Sequence, residues 1–287
     1  MPDKYTAVWT SHTSISDFLR CPRAYFLKHV YRDPATKHKI KLVGPALALG
    51  ATVHEVLEAL SVQSRQTRFS RPLADAYDAA WKKVSGKKGG FFDKDTEYRY
   101  QTRGREMIHR VEQHPGPLTG LAVKIQQDLP FFWLSEADNL ILCGKIDWLE
   151  YLPDSDSVHI IDFKTGKGDE DPDSLQLPIY HLLVHHCQHR TVSGASYWYL
   201  DRSDTPQTVT LPDLTEAEGR VLEIGKQMKL ARQLERFKCP NGGCGTCEPY
   251  ERIIHGEAEF VGVDEYKYDT FVLAPTSSQP DRTSVIL

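Results

Sequence analysis

Cysteine is scarce in the 287-residue sequence, six in all, and three of the six crowd into positions 239 to 247. That is too few for a disulfide-stapled scaffold, and the crowding points to a metal site in a reducing compartment. No window approaches the roughly eighteen uninterrupted apolar residues of a membrane span. Met1-Pro2-Asp3-Lys4-Tyr5 lacks the charged and then apolar regions of a secretory leader. Membrane insertion and secretion are therefore not expected, and a cytoplasmic location is. No Gly-x4-Gly-Lys-Ser/Thr segment is present, so no motor of that kind is encoded. Internal repeats and low-complexity tracts are also missing. With 40% hydrophobic and 26% charged residues, the chain excludes extended disorder and predicts a sizeable core in one large domain or two.

The net charge of −4 hides an asymmetry. Residues 1–130 carry 21 Lys+Arg against 13 Asp+Glu, whereas the remainder carries 14 against 26. Phosphate binding follows the local field, so a basic amino-terminal half reads as a surface for polyanions; a solvated basic face is the ordinary alternative.

Apolar spacing over Ser11 to Tyr31 predicts two short helices meeting near Cys21-Pro22, with Ser14 or Ser16 as N-cap. A basic linker (Lys37, His38, Lys39, Lys41) leads to a helix over Ala46 to Leu60. Helices are predicted over 72–85 and 96–114, separated by a flexible turn at Gly86-Lys-Lys-Gly-Gly90. The period then changes: runs at 121–134, 139–151 and 157–163 predict a three-stranded antiparallel meander. A helix over 173–188, a strand over 193–201 and a helix from Thr215, capped by Thr215-Glu-Ala-Glu218, complete the pattern. This order predicts an α/β (α+β) fold with helices packed on a mixed sheet, and a loose tail beyond about Tyr268.

Two segments carry the chemistry: Gly144-Lys-Ile-Asp147, and Ile160-Ile-Asp162-Phe-Lys164-Thr-Gly166 on the next strand. Adjacent antiparallel strands can bring Asp147 and Asp162 to one end of the sheet, where acceptor-only oxygens suit a hard divalent cation. Lys164, two residues on, shares the face of Asp162 and would reach a scissile phosphate or attacking water. A structural ion pair is the plainer reading of Asp-x-Lys alone. His54 and Glu58 lie four apart on one helix face, where an imidazole is a reasonable extra ligand, and Gln176 and Tyr180 do the same on a later helix.

In this order, Gly50-Ala-Thr-Val-His54, Gly144-Lys-Ile-Asp147, Asp162-Phe-Lys164 and Gln176-Leu-Pro-Ile-Tyr180 resemble the PD-(D/E)xK nuclease superfamily, specifically its RecB-like exonuclease branch. The resemblance runs from about Ser14 to Tyr250, with Ile146 where the family name has proline. It implies a restriction-endonuclease-like mixed central sheet flanked by helices. The expected organisation is a helical DNA-binding arm over 1–120, a nuclease core over 121–236, a cysteine cluster over 237–268 and, from its Pro, Ser and Thr content, a flexible tail over 269–287. Asp147, Asp162, the Phe163 carbonyl and His54 would bind Mg2+ or Mn2+. Lys164 would position or deprotonate water, and Gln176 and Tyr180 would hold the strand near the metal.

Cys239-Pro-Asn-Gly-Gly-Cys244-Gly-Thr-Cys247 offers three thiols on a glycine-rich loop. The resemblance supplies Cys21 as the fourth ligand of a 4Fe–4S cluster, with Zn2+ or no metal at all as the alternatives. The chain departs from the family pattern there: no thiol follows Cys247, and Cys239 must substitute. Cys143 and Cys187 read as buried small hydrophobes. His181, His185 and His189 are spaced to bind a transition metal, although an exposed helix edge or a face near DNA is the plainer reading. Tyr197, Trp198, Tyr199 and Phe131-Phe-Trp133 are expected in the sheet core rather than stacked on bases.

The implied activity is metal-dependent hydrolysis of DNA, as an exonuclease on single-stranded ends, in repair and recombination or in CRISPR adaptation. Separate helicase or CRISPR integrase subunits are candidate partners, and Arg20, Arg23, Lys28 and Arg32 are candidate phosphate contacts. A non-catalytic DNA-binding or assembly subunit is the competing expectation, and a nuclease for RNA would share every site residue.

Overall fold

The computed structural model describes residues 3–274, and local signals explain most of its element boundaries. Val8–Thr10 forms β1, and Ser11 caps α1 (His12–Arg20) through a capping box in which Ser11 and Ser14 exchange side-chain bonds with each other's N–H. The helix therefore starts earlier than a cap at Ser14 or Ser16, because extended Ser11 already meets the first orphan donors. Pro22 opens α2 (Pro22–Tyr25), which runs into a π-helical turn over Phe26–Val30. The basic segment expected as a linker pairs instead as β2 (Lys39–Leu42). Then come α3 (Pro45–Ala59), α4 (Leu73–Trp81) and α5 (Lys94–Gln113), the last capped by Asp93.

The central region holds β3 (Leu121–Ala122), β4 (Phe131–Ser135), β5 (Leu140–Cys143), β6 (Trp148–Leu152) and β7 (Ser157–Lys164). α6 (Gln176–Cys187), β8 (Thr191–Tyr199), β9 (Gln207–Val209) and α7 (Leu214–Gln233) follow, α7 being capped by Asp213 rather than Thr215. The described chain ends with α8 (Glu248–Ile254), β10 (Glu259–Val263) and β11 (Tyr268–Val272). The flexible tail expected from 269 thus begins inside a strand, and residues 275–287 lie outside the described residues.

The main sheet has the order β3-β6-β7-β8-β9, with β6 and β7 antiparallel, β7 and β8 parallel, and α6 as the crossover. Two smaller sheets, β1-β5-β4 and β10-β11-β2, complete the architecture. The expected single meander is therefore split between two sheets. After β5, the chain leaves its hairpin at Gly144 and crosses to the main sheet at Asp147. A Cβ on Gly144 would stand 2.8 Å from the Leu183 side-chain tip of α6, so any larger residue there must displace that tip.

Strand alternation divides the core. Val158 and Ile160 of β7 face a cluster with α1, α6 and α7, whereas Ile161 and Phe163 face a second cluster with α3, α4 and α5. This is the mixed sheet with helices on both faces that the sequence predicts. From residues 1–120, β1 pairs with β5 and β2 with β11. Residues 86–90, expected as a flexible turn, form a 3-10 turn in which Gly90, at φ 84°, lies against Gly44. No helix among the described residues is long and apolar enough to cross a membrane.

Candidate active site

Pairing of Trp148 with Ile161 sets Asp147, in the bend before β6, opposite Asp162 near the end of β7. Asp147 is therefore beside the strand rather than on it, where its Oδ2 accepts the Phe163 N–H at 2.8 Å. Its Oδ1 lies 3.3 Å from Nδ1 of His54 on α3, and that nitrogen is 3.7 Å from Glu58 one turn on. Lys145, next in the crossing segment, pairs with the other oxygen of Glu58.

Asp162 is 1% exposed. Its Oδ1 accepts from the Gln176 amide at 2.6 Å. Its Oδ2 forms a buried ion pair with Lys164 Nζ at 3.0 Å, in poor hydrogen-bonding geometry, and has no other partner among the described residues. Lys164 also contacts Glu170 at 2.7 Å, donates to the Gln176 carbonyl, and lies 5.0 Å from the Tyr197 ring centre. Gln176, in the first turn of α6, thus bridges Asp162 and Lys164, and its amide reaches the Tyr180 hydroxyl at 3.3 Å.

Charge and burial shift these groups together. Burial, then the neighbouring Asp147 carboxylate, pushes Asp162 up to about 7 against the pull of Lys164. For His54, burial opposes the charged ring, but hydrogen bonds to Asp147 and Glu58 overcome it and raise the imidazole to about 10. Burial likewise opposes the Lys164 charge, and Asp162 and Glu170 overcome it, so its pKa rises above that of an ordinary lysine.

The atoms closest to a common ion are His54 Nδ1 and carboxylate oxygens of Glu58 and Asp147, all within 4.8 Å of one another. The structure does not bring Asp162 into that tight set, because Lys164 and Gln176 hold its carboxylate. Glu58 takes its place; its i,i+4 spacing from His54 was the signal, visible in the sequence but not read as a ligand. Oxygens with one imidazole suit Mg2+ or Mn2+, and the Asp162 oxygen, whose one partner among the described residues is Lys164, offers a further anionic ligand, so the residues fit such an ion. Glu170, the second acid on Lys164, had no motif to mark it.

The second donor set is the expected one: Cys21, Cys239, Cys244 and Cys247 place their sulfurs within 4.8 Å of one another. Cys21 sits between α1 and α2, and the left-handed Gly242 (φ 67°) and the Gly243 that follows turn the loop back to it. The Ala24 N–H points at Cys21 Sγ (3.5 Å) and the Cys244 N–H at Cys247 Sγ (3.4 Å), as suits thiolate ligands. Backbone N–H groups of Cys247 and Thr246 lower Cys244 to about 6, whereas burial pushes Cys247 up to about 12. These donors fit a thiolate-bound metal centre.

Other candidates resolve differently. Arg23 is held by Glu251 at 2.5 and 3.0 Å and Lys28 by Asp17 at 2.7 Å, and Arg32 donates to the Lys37 carbonyl. Of the four expected phosphate contacts, Arg20 is exposed with no hydrogen-bonding partner among the described residues. His181 is buried on the Pro212 carbonyl and His186 stacks on Phe132, so the histidine row forms no donor set among the described residues. Tyr197, Trp198 and Tyr199 are buried in the core, Phe131 to Trp133 are half-buried, and Cys143 is buried while Cys187 is half-buried.

No curated protein matches the chain. The family model of the PD-(D/E)XK nuclease superfamily matches residues 10–252, which include every donor of the active site and all four clustered cysteines. The chain belongs to the PD-(D/E)XK nuclease superfamily, and its mixed sheet is of the restriction-endonuclease-like kind.

Proposed function

We propose that this protein is a cytoplasmic Mg2+- or Mn2+-dependent deoxyribonuclease of the RecB-like branch, acting as an exonuclease on single-stranded DNA ends. Its setting would be DNA repair and recombination or CRISPR adaptation, with separate helicase or integrase subunits as partners. The observation that carries the reading is the convergence of Asp147, Asp162 and Lys164 at one end of β6 and β7. Asp147, Asp162, His54, Glu58 and the Phe163 carbonyl would hold the ion, which would activate water and offset phosphate charge. His54 must lose its proton to serve. Lys164, with its raised pKa, keeps its ammonium and so orients the water and neutralises developing charge rather than acting as base. Gln176 holds Lys164 and Asp162 in mutual register, and Tyr180 steadies the Gln176 amide. The full set of acids and lysine weighs against a non-catalytic DNA-binding or assembly subunit.

For the cysteine site, the resemblance supports a 4Fe–4S cluster. The 3.7 Å separation of Cys244 and Cys247 sulfurs supports the Zn2+ alternative, since a tetrahedron of Zn–S bonds of about 2.3 Å has edges of about 3.8 Å. Iron and a brown colour in anaerobically purified protein support the cluster; zinc in colourless protein replaces it.

The nuclease reading is tested with end-labelled single-stranded DNA and Mn2+, beside a matched RNA strand. Asp162→Ala and Lys164→Ala are each expected to lower the DNA rate by about 100-fold or more while the circular dichroism spectrum is kept. Wild-type rates in both variants would reject the site.

A further inference from the structure

Two grooves flank the candidate metal site. One, of about 760 Å3, runs from His54 and Thr165 between α3 and the β10–β11 hairpin, and its wall includes Lys41, Lys83 and Lys88. The other, of about 430 Å3, reaches Asp147 and is lined by Lys124, Lys145 and Tyr266. The β10–β11 hairpin contributes to both: Val261 to Asp264 border the first, and Tyr266 in its turn borders the second.

We propose that the two grooves form one track, walled by the β10–β11 hairpin and α3, that carries a single nucleic-acid strand across the metal site. The proposal rests on the nuclease reading above and adds to it the strand's path and its contacts on both sides of the reacting phosphate.

Charge and chemistry select this occupant. The first groove pairs three ammonium groups with an apolar floor of Leu42, Val43 and Leu47, which suits phosphates on one edge of a strand and unpaired bases on the other. Glu55 pairs with Lys83 at exposed positions, where such a pair is weak and exchanges readily for phosphate, and Lys41, paired with the half-buried Asp264, is itself exposed. Lys88 has no charged partner among the described residues. Tyr266 is 73% exposed. A phenol left in water beside a catalytic groove offers a stacking face that any base can use. A duplex presents its bases inward and would use neither the apolar floor nor this ring.

The test uses the full chain, a fluorescent oligothymidylate with Ca2+ for binding, and bis-p-nitrophenyl phosphate with Mn2+ to read the metal site without the track. Tyr266→Ala is expected to weaken oligonucleotide binding about tenfold. Lys88→Ala is expected to reduce the salt dependence of log K by about 0.7. Both variants should hydrolyse the small diester at the wild-type rate. Unchanged oligonucleotide affinity and salt slope in both variants, or tighter binding of duplex than of single strand by the wild type, overturn the track. Binding that tightens tenfold on deletion of residues 275–287 would make the chain's own terminus the occupant and overturn it as well. Failure of the wild type to hydrolyse even the small diester removes the underlying nuclease reading instead, so the two failures are distinct.

Discussion

At the scale of single residues, His54 and Asp162 bind protons more tightly in the fold than in the unfolded chain, and both shifts carry the same sign of pH dependence. Asp162 is raised from 3.8 to about 7, so its burial costs stability progressively as pH rises through that window. His54 is raised from 6.5 to about 10, so its pairing with Asp147 and Glu58 stabilises fully below 6.5 and fades towards 10. The melting temperature of metal-free protein is therefore expected to fall between pH 6 and 9 by about 2–8 °C, as a loss of about 1–2 kcal/mol gives for a chain of this size. An ion needs the deprotonated forms of both groups, so Mn2+ affinity should rise over the same range with release of protons, measurable by calorimetry in buffers of different ionisation enthalpy. A metal-free melting temperature that is flat or rising over this range would contradict the assignment. The residues themselves were legible in sequence because the chemistry demands acids and a lysine two apart on a strand. What was not legible was their allegiance: Asp162 leans towards Lys164 and Gln176 while Glu58 joins His54, a choice made by side-chain packing that spacing does not encode.

At the scale of elements, the site depends on how the segment after β5 crosses between sheets. Helix lengths and the β6–β7 pair were readable from periodicity, since each buries one regular face. The split of the expected meander was not, because 139–151 reads as one strand-like run of Leu, Ile, Trp and Tyr, and only Gly144-Lys145 interrupts it at the crossing. The added strands β1 and β2 escaped notice for a related reason: each is short and partnered far away in sequence, so no local pattern marks it, and the β10–β11 hairpin was missed as a pair of short strands, the first largely exposed. Gly144→Ala tests the crossing. Its Cβ would press on Leu183 at 2.8 Å, with expected destabilisation of about 1–3 kcal/mol by urea unfolding. Asp147 lies three residues on, so Mn2+ binding should weaken as well, while the far-UV spectrum stays that of the wild type. Unaltered stability and metal affinity would show that α6 yields and that the close approach is incidental.

At the scale of the whole molecule, the four cysteines tie the chain's beginning to its end: Cys21 lies between the first two helices, and its partners lie beyond α7. The small apolar cluster beneath them, Ala24, Leu27 and Cys247 with Phe26 and Tyr250 against it, is separate from the two large cores on either face of the main sheet. The site thus closes a loop of more than two hundred residues without being needed to build either core, and its loss should open the closure rather than unfold the nuclease sheet. Cys21→Ser is expected to lose the bound metal and to expose the 236–247 loop to limited proteolysis. A lost closure of about 2 kcal/mol lowers the melting temperature by about 4–8 °C. Cys143→Ser, in a strand remote from the cluster, should keep the metal content of the wild type. If Cys21→Ser retains full metal content and resists protease as the wild type does, Cys21 is not a ligand and the two ends are joined by other contacts, such as the β2–β11 pairing and the Arg23–Glu251 ion pair.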